Sequence, residues 1–116
     1  MTGRRPVALA ALLAQCAAGA AMAQAPAGPA ADALVLGRRL FTGEVQPSCT
    51  VCHALKDAGS TAEVGPPLDE LKPDAGRVAR ALRNGIGVMP AFRDKLSDAQ
   101  IEALARYVAH ATGGGR

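Results

Sequence analysis

The chain has no tryptophan and only three aromatic residues, Phe41, Phe92 and Tyr107, among its 116 positions. A domain this small with so few large side chains has little apolar material for a core, and such domains are commonly stabilised by a metal or a cofactor. Histidine is equally scarce: His53 and His110 are the only two. Three cysteines, Cys16, Cys49 and Cys52, are too few for a disulfide framework. No second Cys or His pair at ligand spacing follows Cys49 and Cys52, which excludes a four-ligand structural zinc site. Charge of one sign is also lacking. The formal net charge is +3, and Arg4 and Arg5 account for two of those positive charges. A chain this nearly balanced carries no electrostatic argument for nucleic acid.

The amino terminus reads as an export signal. Arg4 and Arg5 form a basic start, Val7 to Ala14 an apolar stretch, and Ala21-Met22-Ala23 a small-x-small cleavage pattern. The apolar run is too short and too rich in alanine for a membrane span, so no stable span is expected after cleavage, although a retained anchor is the alternative. Cys16 raises a lipoprotein reading, but Gln15 stands where a small residue is expected, and Cys16 is assigned to the discarded segment. Residues 1–23 are thus a signal peptide, 24–31 an Ala/Pro/Gly-rich flexible leader, 32–112 the folded domain and 113–116 a flexible tail. Cleavage leaves 11 basic against 10 acidic residues.

What is present is concentrated in two short stretches. Cys49-Thr50-Val51-Cys52-His53 reads C-x-x-C-H, the attachment pattern of a c-type haem. Two thiols three positions apart can each add to one vinyl group of a single haem, and the histidine that follows is then held with a ring nitrogen aimed at the iron. A thioredoxin-like dithiol is the competing reading, but no βαβ pattern surrounds the pair. The second stretch is Gly85-Ile86-Gly87-Val88-Met89-Pro90-Ala91-Phe92. Two glycines let backbone lie against a flat ligand, and Pro90 stiffens the chain beside the one methionine left once Met1 and Met22 are removed. A lone methionine is usually core filler. Here, downstream of a haem motif, Met89 reads as the second axial ligand, so that His53 and Met89 hold the metal.

The remaining segments read as helices and loops. Asp32 is a candidate N-cap for a helix to about Phe41, and residues 42–48 read as a loop. A single turn carries Cys49 to Ala54, followed by a polar surface loop over 55–64. Asp74 to Asn84 reads as a helix with Val78 and Leu82 inward and Arg77, Arg80 and Arg83 on another side, stopped by Asn84-Gly85. Ser97-Asp98-Ala99-Gln100 is a capping box that opens a helix to about Ala111, with Ile101, Leu104, Tyr107 and Val108 inward. His110 reads as a surface histidine near that helix's end. Lys56, Arg93 and Lys95 lie close in sequence to the two haem-ligand stretches and are candidates for a basic rim that steers a partner.

On these residues the domain resembles a class I c-type cytochrome, of the small monohaem bacterial periplasmic kind. Gly37 and Phe41 look like the glycine and aromatic of that family's first helix, and Leu104 and Tyr107 like their counterparts on its last. Gly65-Pro66-x-Leu68 resembles the segment whose proline carbonyl accepts a hydrogen bond from the haem-ligating histidine. A looser resemblance extends to cytochrome subunits of sulfite-oxidising enzymes. The resemblance implies an all-α cytochrome c fold, three to five helices packed around one covalent haem c, with Cys49, Cys52, His53, Met89, Pro66 and Leu68 at the cofactor. Two departures stand out: the spacer from Phe41 to Cys49 is long, and no tryptophan is available for a haem propionate, leaving Arg77, Arg80 or Lys72 as its partner.

The function this implies is one-electron transfer in the periplasm between redox protein partners, with no catalysis of its own. The alternatives are a haem c subunit bound permanently to a periplasmic dehydrogenase, for example one oxidising sulfite, and a haem peroxidase or gas sensor, which would need the sixth iron position that Met89 fills.

Overall fold

The computed structural model describes residues 1–3 and 28–115; the expected cleavage region and residues 24–27 lie outside them. Four α-helices are present among the described residues: α1 (Pro29–Arg39), α2 (Leu68–Leu71), α3 (Ala75–Asn84) and α4 (Asp98–Thr112). A wider turn over Leu40–Glu44 extends α1, and tight single turns lie at Cys49–Val51 and Lys56–Ala58. The fold is helix-rich but not purely helical. Ala54–Leu55 (β1) and Ser60–Thr61 (β2) pair antiparallel, Ala54 opposite Thr61, in a two-residue ladder that the polar loop reading had not anticipated.

The first helix begins earlier than Asp32. Gly28 is its N-cap and Pro29 its first residue, a position where proline's fixed φ favours the helix and its missing N–H is no loss. Asp32 sits instead in the first turn, where a carboxylate complements the helix dipole. The long spacer after Phe41 is tied back rather than loose: buried Ser48 donates its hydroxyl to the Phe41 carbonyl at 3.2 Å, and Gln46 bonds the Gly43 carbonyl. At the far end, the α4 capping box forms as expected, with Ser97 and Gln100 satisfying each other's backbone N–H groups. The residues after α4 make a capping turn in which Gly113 adopts φ 74° and the Gly114 N–H reaches the Ala109 carbonyl at 2.9 Å. Gly114 lies against the backbone of Lys72 and Pro73.

The core is one cluster drawn from both ends of the chain. Phe41, Leu40, Leu55, Ile101 and Leu104 are its largest fully buried side chains. Helices α1 and α4 meet at Gly37, whose missing side chain lets Ala103 and Tyr107 come into close contact with the α1 backbone. One turn on, the Phe41 and Tyr107 rings meet edge to face, centroids 5.9 Å apart, a geometry worth about 0.5–1.5 kcal/mol beyond the area buried. Helix α3 is joined to α4 by Arg83, which bonds Glu102 at 2.8 Å and Asp98 at 3.5 Å.

Tyr107 also anchors the loop that precedes β2. Its hydroxyl donates to Asp57 at 2.6 Å, and Arg38 of α1 reaches the same carboxylate at 3.5 Å. Burial, and then the bond to Asp57, push the Tyr107 phenol well above its ordinary value of 10.0. Above pH 10 the unfolded chain releases this proton while the folded chain keeps it, so stability is fully present below 10 and falls as pH rises beyond it. Tyr107→Phe is expected to cost about 1.5–3 kcal/mol at neutral pH and to flatten the alkaline decline. Urea melts of both proteins at pH 7 and above pH 10 check this; parallel alkaline losses would sink the assignment.

Candidate haem c site

The haem-motif turn is fixed from three directions. Ser48 caps it, accepting from the Thr50 N–H, and the His53 N–H bonds the Cys49 carbonyl at 2.9 Å, closing a helical turn. Ser60, brought across by the β1–β2 ladder, donates its hydroxyl to the His53 carbonyl at 2.6 Å or the Thr50 carbonyl at 3.1 Å. Neither serine was singled out in the sequence, because each acts through backbone groups that only the fold brings near.

His53 is oriented through its Nδ1, 2.9 Å from the Pro66 carbonyl oxygen. A carbonyl can only accept, so Nδ1 carries the proton, and Nε2 is left with a lone pair for a metal. Gly65 makes this possible. A Cβ there would lie 2.6 Å from His53 Cε1 and 2.8 Å from Nδ1, closer than real side chains approach, so only glycine lets the ring lie on this backbone. The Gly65 N–H in turn bonds the Cys52 carbonyl at 2.6 Å.

The methionine loop is a tight two-residue turn. Ile86 and Met89 exchange backbone hydrogen bonds of 3.1 and 3.0 Å, with Gly87 at φ 56° as the first central residue. Gly85, at φ 69°, packs its Cα side against the Met89 carbonyl and the Ala91 N–H. The exit is fixed by the Phe92 N–H on the Leu82 carbonyl at 2.6 Å.

These segments surround one cavity of about 610 Å³, within the roughly 300–1,000 Å³ typical of cofactor pockets. All six residues expected at the cofactor, Cys49, Cys52, His53, Pro66, Leu68 and Met89, line it, and so do Phe41, Leu82, Phe92, Leu104 and Val108 of the core. His110 does not, and it is exposed. Burial pushes the Cys49 thiol up to about 11, against the pull of its own backbone hydrogen bond and with a further push from charge on Cys52, so the thiol stays protonated at neutral pH. Two thiols, an imidazole tied by Nδ1 to a backbone carbonyl and a thioether in a mostly apolar cavity fit haem c. Lys56, Arg93 and Lys95 do not line the cavity. Lys95 is committed elsewhere, bonding the Gln46 carbonyl at 2.7 Å above the Phe92 ring. Large apolar side chains are exposed at its rim: Val64 and Ile86, each 69 % exposed, and Val88, 93 % exposed, alongside the exposed Arg77, Arg80 and Asn84.

A helix-rich fold closed around such a cavity defines a class I c-type cytochrome, an electron-transfer protein that carries haem c. Residues 33–108 match the family described as cytochrome c oxidase, cbb3-type, subunit III, and the chain belongs to that family. Among solved structures it is similar to the c-type cytochrome SorU from Sinorhizobium meliloti, with 54% identity and a TM-score of 0.68 over 71% of this chain and 93% of that one. It is 32% identical to cytochrome c6 from Bryopsis maxima, over 65% of this chain and 88% of that protein. It is 41% identical to the cbb3-type cytochrome c oxidase subunit CcoP from Azospirillum brasilense over 60% of this chain, which spans only 26% of that longer protein. No helix among the described residues is long and apolar enough to cross a membrane.

Proposed function

We propose that this chain is a periplasmic one-electron carrier with a single haem c, attached through Cys49 and Cys52 and ligated by His53 and Met89. The observation that carries the reading is the His53–Pro66 hydrogen bond, which frees Nε2 inside a cavity that both cysteines and Met89 also line. When bound, haem c supplies an iron that accepts and returns one electron. The chain's own residues do the rest. Cys49 and Cys52 would fix the cofactor covalently, while Pro66 keeps the imidazole in one tautomer and one orientation. Met89, presented by a hydrogen-bonded turn, would supply the second iron ligand, which a peroxidase or gas sensor would lack. Leu68, Leu82, Phe92 and Leu104 exclude water from the cavity. Export to the periplasm rests on the signal pattern of residues 1–23.

Periplasmic expression alongside haem-attachment machinery tests the core of this reading. The purified protein is expected to start at Gln24, to carry the mass of one haem, and to show a low-spin spectrum in both oxidation states. Haem that extracts into acidified acetone, or an intact mass without haem, would refute covalent attachment. A second reading, a haem c subunit held permanently in a dehydrogenase complex, is favoured by the apolar rim of Val64, Ile86 and Val88. Gel filtration of native periplasm separates the two: a carrier elutes at its own size, a subunit with its enzyme.

A further inference from the structure

Residues 52–56 and 65–69 run side by side in the same direction, joined by three hydrogen bonds at one constant offset. The Gly65 N–H bonds the Cys52 carbonyl at 2.6 Å, and His53 Nδ1 bonds the Pro66 carbonyl at 2.9 Å. The third closes the far end: Asp69 Oδ2 accepts from the Lys56 N–H at 2.9 Å. The partners of the last two bonds stand 13 positions apart in both cases. Nothing in the haem motif itself calls for the Asp69 bond.

The segment that carries the Pro66 carbonyl behaves as a lever. Pro66 and Pro67 have fixed φ, which removes two of the torsions that would absorb a displacement at Asp69. Gly65, with no side chain, is the joint about which the lever turns. Leu68 is buried in the core, but apolar burial is non-directional. It holds the lever's depth and leaves its rotation free. Asp69 fixes that rotation, and its anchor is firm. Asp57, next to Lys56, is held by the Tyr107 hydroxyl at 2.6 Å and by Arg38 at 3.5 Å. The latch thus fastens the Pro66 segment to the α1–α4 frame. Pro66 is exposed, so water takes over the Nδ1 proton wherever the carbonyl swings away.

We propose that Asp69 is a positioning residue for the iron-ligating imidazole. By latching the Pro66 segment to Lys56, it holds the Pro66 carbonyl on His53 Nδ1 and so sets the electron-donating strength of Nε2. The proposal rests on the haem c reading above. A tight bond from Nδ1 to a carbonyl makes the imidazole more basic, and a more basic ligand favours ferric iron. Loosening the latch therefore raises the reduction potential. Removing the Asp69 charge also raises it, by an electrostatic route that needs no movement. Asparagine separates the two routes, since its amide oxygen still accepts from the Lys56 N–H while the charge is gone.

The test compares Asp69→Ala, Asp69→Asn and Glu70→Ala in the haem-loaded protein, by potentiometry and by proton NMR of the His53 ring N–H. Glu70 is exposed on the same helix and takes part in no ion pair among the described residues. Its removal reads the charge effect alone. Asp69→Ala is expected to raise the potential beyond both other variants and to speed exchange of the ring N–H with water roughly tenfold. Asp69→Asn is expected to match Glu70→Ala in potential and the unaltered protein in exchange. If Asp69→Ala fails to take up haem and Asp69→Asn takes it up, that rescue supports the latch. If the Ala and Asn variants shift the potential equally and neither changes the exchange, Asp69 acts through charge alone. The latch is then refuted, while the electron-carrier reading stands. If unaltered protein attaches no haem, that reading falls and the latch with it.

Discussion

Replacing Met89 by alanine is expected to convert a closed low-spin site into an open one. The variant should bind water in the ferric state and carbon monoxide in the ferrous state, where the unaltered protein binds carbon monoxide poorly at neutral pH. Its reduction potential should fall by a sizeable part of the roughly 0.8 V that axial ligands span, because a thioether favours ferrous iron. The fold should survive, since Met89 is only partly buried at the edge of the core and its turn is built from backbone hydrogen bonds between Ile86 and Met89. Met89→His should also lower the potential but keep the iron low-spin, whereas His110→Ala, outside the cavity, should leave the spectrum unaltered. Unaltered protein that is high-spin, or that binds carbon monoxide avidly, would overturn the carrier reading in favour of a peroxidase or sensor.

The largest effect on stability is expected at Gly37. An added Cβ would overlap the Ala103 carbonyl oxygen and sit 2.5 Å from Tyr107 Cβ. The overlapped carbonyl is backbone in the middle of α4 and has no rotamer to relieve the clash. Overpacking costs about 1–3 kcal/mol and sometimes more, and alanine's better helix propensity recovers only about 1 kcal/mol. Gly37→Val, bulkier and β-branched, should lie at or beyond the upper end, lowering the melting temperature by roughly 10 °C or more for a domain of this size. Thermal melts of the haem-loaded Ala and Val variants measure this, and a melting temperature that holds or rises in both would show that the helices do not cross at this glycine.

The site was legible to the extent that its chemistry is written in adjacent residues. The five residues from Cys49 to His53 identify it because the covalent chemistry fixes both their types and their spacing. Gly37 with Tyr107, and Gly65 with Pro66, could be read only through a family resemblance; the structure supplies the physical reason, a backbone approach in each case that a methyl group would block. The Arg38–Asp57–Tyr107 cluster left no trace in sequence, since its members stand 19 and 50 positions apart and look like ordinary surface charges beside a core aromatic. The β1–β2 ladder is too short for alternation to register, and it reveals itself only through what it does, carrying Ser60 under the haem-motif turn. The start of α1 at Pro29 rather than beyond Asp32 is hidden in a stretch whose Ala/Pro/Gly composition reads as a leader, although proline suits the first turn of a helix.

The crossing of α1 with α4 at Gly37 turns the intervening chain into a closed loop. The entropy lost in closing it grows only as the logarithm of its length, about 0.6 kcal/mol for each doubling. The clasp, by contrast, depends on the separation of two backbones at one point. Length and contact therefore constrain this protein very differently. Residues added between the clasped helices, at the exposed stretch around Glu63, change the free energy of closure by a small fraction of what one methyl group at the clasp does. Surface segments over the cavity are thus free to diverge in length, and with them the shape offered to a partner, while the glycine that holds the ring shut is not.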